Sequence, residues 1–155
     1  MVKTNAMRLL ESSGIAYSAW EYDVSDSEIS GVAVAAKLKQ DPERVFKTLV
    51  TVGRNTRFNV FIIPSNAELD LKKAAKAAGD KNVELIKARE LEPLTGYVHG
   101  GCSPVGMKKL FPTYIDETAQ LHETIFVSGG RIGLQIEAAP DDIAGITGAA
   151  FCDLF

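Results

Sequence analysis

The chain has 155 residues, of which 46% are apolar and 24% are charged. This composition is that of a globular protein with a buried core, not of a disordered chain. The length fits one compact domain, so residues 1–155 are expected to form a single domain. The net charge of −3 argues against a general nucleic-acid binder. Basic residues outnumber acidic ones only in residues 41–90, which is where a contact with nucleic acid would begin.

The cysteine content and the apolar runs predict the cellular compartment. Cys102 and Cys152 are too few for a disulfide framework and suit a reducing environment. Met1 is not followed by the basic region and apolar run of a signal peptide. The longest apolar runs fall far short of the roughly 20 residues that span a bilayer. We therefore expect a cytoplasmic protein that makes no membrane contact.

Helical and strand patterns alternate in the first half of the chain. Thr4 or Asn5 can cap the start of a first helix, and Gly14 can end it. Turn-forming residues separate two apolar strands and predict a hairpin. The predictions are a helix at 4–13, a strand at 15–22, a loop at 25–31, a helix at 32–38 and hairpin strands at 45–52 and 58–63.

The second half adds a second hairpin and two capped helices. Gly79 is placed to end one helix and Pro140 to begin another. The predictions are a helix at 69–78, a short helical or irregular piece at 90–95, a loop at 96–106, a strand at 113–115, hairpin strands at 124–127 and 132–138, and a helix at 140–146. The predicted fold class is α+β, with a mixed, partly curled β-sheet and flanking helices.

Lys47 stands between apolar residues in the first strand of the first hairpin. Alternation places it on one face with Val45 and Leu49, while Phe46 and Thr48 lie on the other. Burying a lysine is costly unless its charge is paired or it faces a wet cavity. Lys47 either projects into a pocket, where it would bind an anionic or carbonyl group, or reaches solvent from an edge strand.

The segment His99-Gly100-Gly101-Cys102-Ser103-Pro104-Val105-Gly106 concentrates glycines in one loop. Paired glycines let backbone amides approach a phosphate or a developing oxyanion, although a tight turn is their commoner use. No Gly-Lys-Ser/Thr follows, as a phosphate-binding loop would require. His99 and Cys102 supply two ligands where a structural zinc site needs four. No metal or other cofactor is therefore expected.

Two of these segments form a specific combination, Phe46-Lys47-Thr48-Leu49 and Gly100-Gly101-Cys102-Ser103-Pro104-Val105-Gly106. In this combination the sequence resembles the YbaK-type aminoacyl-tRNA deacylases, relatives of the editing domain inserted in bacterial prolyl-tRNA synthetases. The resemblance implies that family's α+β fold. It also implies an enzyme that strips a wrong amino acid from the 3′ CCA end of a tRNA, with Cys-tRNA(Pro) as the expected substrate. The matching segments are residues 21–23, 41–49, 71–76, 95–109, 125–130 and 136–143.

The resemblance also implies roles for individual residues. Lys47 would be the pocket lysine, and Gly100 and Gly101 would offer backbone amides to the ester carbonyl. Cys102 occupies a position where the family accepts aliphatic residues, so it is not expected to be a nucleophile. The substrate would be bound by Tyr22, Thr48, Ser103, Pro104, Ser128, Gly129 and Asp142. The candidate tRNA contacts are Arg44, Arg54, Arg57, Lys72, Lys73 and Lys76.

No side-chain nucleophile with an adjacent base is evident in the sequence. This fits the substrate-assisted route that the resemblance implies, in which the thiol of a misattached cysteine attacks its own carbonyl and leaves as a thiolactone. Editing is needed because a proline pocket discriminates against a residue of similar size by only about 1–3 kcal/mol. The expected partners are aminoacylated tRNA and a prolyl-tRNA synthetase, and no DNA contact is expected.

Three other functions stay open at this point. An editor that uses a bound water would remove another amino acid, such as alanine or serine, from its tRNA. A non-catalytic module would bind tRNA or an aminoacyl-adenylate analogue. An ordinary α+β domain would bind a small molecule. The loop at residues 23–26 lacks the histidine often found in relatives, which leaves the preferred amino acid open.

Overall fold

The protein is described by a computed structural model that covers residues 1–155. The helices are α1 (Asn5–Ser12), α2 (Gly31–Lys37), α3 (Leu71–Ala78), α4 (Ala88–Thr95) and α5 (Pro140–Thr147), with a short 3-10 helix at Glu117–Leu121. The strands are β1 (Ser18–Glu21), β2 (Phe46–Gly53), β3 (Phe58–Pro64), β4 (Val83–Leu85), β5 (Thr113–Asp116), β6 (Ile125–Ser128), β7 (Leu134–Ala138) and β8 (Ala150–Cys152). None of the helices combines the length and the apolar character needed to cross a membrane.

The strands form two sheets. One is antiparallel, with the order β1-β7-β6. The other has the order β4-β2-β3-β5-β8, in which β2 pairs antiparallel with β3 and β4, and β5 pairs parallel with β3 and β8. The prediction of an α+β fold with mixed pairing and flanking helices is confirmed. The pairing is divided between two sheets, whereas the sequence had suggested one curled sheet.

The two sheets are joined where β2 begins. Val45 forms an isolated parallel bridge with Phe126, whose N–H donates to the carbonyl of Arg44 at 2.9 Å. The Arg44 guanidinium lies 5.2 Å from the Phe126 ring centroid and forms an ion pair with Glu137 at 3.2 Å. These contacts fix the first residues of β2, including Lys47, against the second sheet.

Each face of β2 packs into a different cluster. Phe46 and Val50 belong to the main core between the sheets. Leu49 packs against the outer cluster beneath α3, which contains Phe61 and Ile63. The predicted period-two alternation is therefore observed, and it places Lys47 in register with Ile63.

Local signals predicted the helix ends well and the short strands poorly. Thr4 Oγ1 accepts from the Met7 N–H at 3.2 Å, Gly79 adopts a left-handed φ of 71°, and Pro140 is the first residue of α5. Strands β4 and β8 and the 3-10 helix were not predicted. Each of these strands has three residues, too few for a periodic pattern, and forms because it pairs with an existing sheet edge.

Replacing Phe126 with alanine is expected to destabilise the fold by about 3–5 kcal/mol, because the fully buried ring packs where the sheets join. Urea unfolding measures this loss. Leu121, which is 80% exposed, provides the control, and Leu121→Ala is expected to change stability by less than about 0.5 kcal/mol. A loss at Phe126 no larger than the control's would contradict the assigned role.

Candidate active site

A cavity of about 170 Å³ lies beside the first half of β2. β4 pairs only with Thr51–Gly53, so this half of β2 is an open edge on that side. The cavity wraps around the edge and is lined by residues from both faces of β2. Leu91 of α4, residues at the start of α2 and the glycine loop complete its walls.

Lys47 is the cationic residue of this cavity. Its side chain is half-buried, and its ammonium group makes no hydrogen bond or ion pair with the protein. Burial lowers the pKa of Lys47, and the carboxylate of Glu68 partly opposes that shift. Of the two interpretations that the sequence left open, the structure favours a lysine that faces a pocket.

Buried polar atoms without partners cluster around the same space. Four buried side-chain nitrogen or oxygen atoms have no hydrogen-bond partner, and three belong to residues that line the cavity: Tyr22 Oη, Thr48 Oγ1 and Gln135 Oε1. Such an atom costs about 1–3 kcal/mol when left unpaired, so folded proteins contain few of them. A ligand that pairs with these atoms would offset this cost.

Gln135 was missed by the sequence analysis. It is 6% exposed and stands in β7 between Leu134 and Ile136, which are fully buried. The sequence did contain one signal, because Gln135 is a polar residue inside a predicted strand and has an apolar neighbour on each side. Gln135 follows Lys47 by 88 positions, so the sequence alone does not show that the two residues line one cavity.

The glycine loop offers backbone N–H donors beside the cavity. Only one of the two glycines predicted as donors, Gly100, is among them. Gly100 has a φ of 85° and lines the cavity, and a Cβ there would lie 2.7 Å from Ile29 Cδ1. The N–H groups of Gly100 and Cys102 have no protein acceptor. The Gly101 N–H already donates to the Val98 carbonyl at 3.0 Å, so this predicted donor is corrected to a turn residue.

The predicted substrate-binding residues fall into two groups. Tyr22, Thr48 and Ser128 line the cavity. Ser128 Oγ accepts from the Gly130 N–H at 3.2 Å, which leaves its own O–H free to donate. The residues outside the cavity lining are Ser103, Pro104, Gly129 and Asp142.

These four residues have other surroundings. Ser103 Oγ accepts from the Val105 N–H at 3.2 Å, and Pro104 lines a separate hollow. Gly129 is buried, and Asp142 is exposed at the start of α5. Ser103, Pro104 and Gly129 therefore follow lining residues in the chain without lining the cavity themselves, and Asp142 is also absent from the lining.

Cys102 and His99 line the cavity without forming a reactive pair. Burial raises the pKa of the Cys102 thiol to about 11, so the thiol is neutral near pH 7. His99 is exposed at the cavity mouth. No group of three His, Cys, Asp or Glu side chains is placed to hold a metal ion. Cys102 therefore lies in the cavity wall with a neutral thiol, and its exclusion as a nucleophile stays a prediction.

The six predicted tRNA contacts differ in whether their charge is already paired. Arg44 binds Glu137 and Thr124, and Lys73 binds Asp153 and the carbonyl of Phe155. The charges of these two side chains are therefore already paired within the protein. The cations that remain exposed and without an ion pair are Arg54, Arg57, Lys72 and Lys76.

Comparisons with known proteins identify the family of the chain. Residues 28–146 match the family model described as "Aminoacyl-tRNA editing domain". The chain belongs to this editing-domain family. A relative of the editing domain in Enterococcus faecalis, named "Putative Cys-tRNA(Pro)/Cys-tRNA(Cys) deacylase EbsC", is 49% identical over 152 residues, which cover 98% of this chain and 93% of the relative. The resemblance seen in the sequence is confirmed.

Solved structures share the fold of this editing domain along its whole length. One, titled "Crystal structure of a putative trans-editing enzyme for prolyl tRNA synthetase", has a TM-score of 0.86 at 26% identity, covering 99% of this chain and 98% of that one. Another, a hypothetical protein APE2540, has a TM-score of 0.88 at 22% identity, covering 97% and 99%. The second likeness concerns the fold alone.

Cys102 is expected to resist alkylation by iodoacetamide at pH 7.5 in the folded protein. The thiolate is the reactive form, and a pKa of about 11 leaves very little of it. Peptide mass spectrometry measures the modified fraction, with the urea-unfolded protein as the reactive control. Equal rates for folded and unfolded protein would contradict the raised pKa, and a faster rate in the folded protein would show that the thiol is activated.

Proposed function

We propose that this editing domain is a trans-acting aminoacyl-tRNA deacylase that clears Cys-tRNA(Pro). It would cleave the ester between cysteine and the terminal adenosine of the tRNA. One observation carries the proposal: an unpaired lysine ammonium lines the same small cavity as three buried polar atoms without partners. The 49% identity to a relative named for this activity supports the same substrate.

The size of the cavity favours an aminoacyl group. Its volume of about 170 Å³ is below the roughly 300–1,000 Å³ of sites that enclose a whole drug-sized ligand. A cysteinyl group would fill it, and the adenosine would remain at the mouth. Ile29 and Ile132 lie there beside Gly100 and offer apolar surface to the base. An ordinary small-molecule site is less consistent with this volume.

The donors in the cavity suit an ester carbonyl. The Lys47 ammonium and the free N–H groups of Gly100 and Cys102 can stabilise the negative charge that develops on the carbonyl oxygen. Partial burial strengthens this attraction, because less water screens the charges. The same burial lowers the pKa of Lys47, which makes its proton easier to transfer to the departing 3′-oxygen.

The nucleophile would come from the substrate. Cys102 carries a neutral thiol, and no side chain that could act as a base makes a hydrogen bond with Ser128. The sulfur of the substrate cysteine would attack its own carbonyl carbon, forming a C–S bond as the C–O bond to the 3′-oxygen breaks. The 3′-oxygen gains a proton and the thiol loses one, so the products are a thiolactone and uncharged tRNA.

Recruitment by a prolyl-tRNA synthetase forms part of the proposal. The net charge of −3 predicts few phosphate contacts and weak, salt-sensitive binding of free tRNA. A synthetase that has just released the mischarged tRNA would supply it locally. The structural neighbour whose title names trans-editing for prolyl tRNA synthetase supports this partner.

A panel of charged tRNAs tests the proposed function. We expect release of cysteine from Cys-tRNA(Pro) and no release of alanine from Ala-tRNA(Pro), because alanine has no thiol. Lys47→Ala should lower the rate at least about 100-fold, the loss typical of removing one oxyanion donor, with an unchanged melting temperature. Lys81→Ala, at an exposed lysine outside the cavity, is the matched control.

Other results of this panel would favour the alternatives. Release of alanine would indicate a water-dependent editor, and tRNA binding without any release would indicate a non-catalytic module. Cys-tRNA(Cys) in the same panel separates recognition of the amino acid from recognition of the tRNA. Full activity of Lys47→Ala would remove this lysine from the mechanism.

Gln135→Leu should lower activity without lowering stability. In the proposed complex, Gln135 Oε1, which has no partner in the protein, accepts a hydrogen bond from the α-ammonium group of the substrate. Its loss should lower kcat/KM by about 10- to 100-fold, the equivalent of about 1–3 kcal/mol. Stability should hold or rise, because leucine leaves no unpaired buried oxygen. Steady-state kinetics and urea unfolding measure the two effects, and an unchanged kcat/KM would exclude a substrate contact.

A further inference from the structure

A second concave surface is built on the same helix, α4, that contributes to the cavity wall. It consists of two adjoining hollows of about 470 and 480 Å³ that share Phe58 and Leu94. Leu91 of the same helix lines the cavity, so α4 contributes residues to both sites. We call this surface the α4 groove.

The α4 groove combines unpaired cations with aromatic rings. Arg57, Arg89 and Lys109 line it, are exposed, and take part in no ion pair. The Arg57 guanidinium lies 5.3 Å from the ring centroid of Phe58, which packs edge-on against Phe111 at 5.9 Å.

Its one acidic side chain is already engaged. The Glu90 carboxylate accepts from the Lys87 N–H at 3.1 Å at the start of α4. The groove therefore places three unpaired cations, against one carboxylate, beside partly exposed aromatic rings, which is the combination that binds a nucleic-acid strand.

We propose that the α4 groove binds the acceptor arm of the tRNA whose 3′ end enters the cavity. This proposal rests on the proposed function. Val52, the strand partner of Phe58, stands five residues after Lys47 on β2, a distance of about 17 Å. At about 3.4 Å per stacked nucleotide, this spans about five nucleotides. The groove thus meets the strand just beyond the CCA end, where the acceptor stem begins.

A competing surface exists on α3. Lys72 and Lys76 are also exposed and unpaired, but that helix packs on the outer face of the five-stranded sheet. No aromatic ring or hollow accompanies them among the main cavities of the protein. The α4 groove, which shares α4 with the cavity and combines unpaired cations with aromatic rings, is therefore the favoured RNA surface.

Two double variants distinguish the surfaces. Affinity for uncharged tRNA(Pro) is measured between 50 and 200 mM KCl for the wild type, Arg57→Ala/Arg89→Ala and Lys72→Ala/Lys76→Ala. The groove variant should bind about 10-fold more weakly, and its slope of log K against log salt should fall by about two. A larger loss from the α3 variant, or an unchanged slope in the groove variant, would overturn the proposal. Melting temperatures confirm that both variants are folded.

A short substrate distinguishes a role of the groove in tRNA binding from a role in ester cleavage. Cysteinyl-adenosine can fill the cavity but is too short to reach the groove. The groove variant should cleave it at the wild-type rate and should lose about 10-fold in kcat/KM on Cys-tRNA(Pro). Loss on both substrates would place Arg57 and Arg89 in the cavity chemistry and overturn the proposal. If the wild type cleaves neither substrate, the proposed function fails, and the affinity measurements still decide the groove.

Discussion

The open edge of β2 is held in place by the contact between Val45 and Phe126, and the cavity depends on that contact. A strand edge without a neighbour usually exposes backbone groups to solvent or to another chain. Here the second sheet pins the start of β2, and the glycine loop and α2 cover its free side. The result is a small recess whose walls come from segments far apart in the chain.

The polar groups of this recess are paired only in part by the protein. Tyr22, Thr48 and Gln135 each place a buried oxygen there without a partner, and Lys47 places an unpaired ammonium. Such groups lower stability, whereas an apolar wall of similar shape would not. Active sites commonly carry this kind of local cost, because the same groups gain their partners when the substrate or its transition state is bound.

The positively charged side chains fall into two groups: some are paired with carboxylates of the protein, and others are free to contact RNA. Two of the cations are paired within the protein: Arg44 with Glu137, and Lys73 with Asp153. Those around the α4 groove remain unpaired. A protein with a net charge of −3 can therefore still offer a local positive surface, while the rest of its surface disfavours unspecific contact with nucleic acid.

Local chemistry in the sequence was enough to predict most helices and both hairpins, because caps, turns and alternating apolar residues act over a few neighbours. Gly79, Pro140 and the alternation around Lys47 are examples. The family came instead from the resemblance carried by the segments around Lys47 and Gly100. The sequence alone could not show that Gln135 lies beside Lys47, that the Gly101 amide is already occupied, or that Arg44 is paired while Arg57 is free. It also gave no sign of β4 or β8, which form only on an existing sheet edge. These features depend on contacts between distant segments, and the partners of a polar group are decided only when the two sheets close on each other.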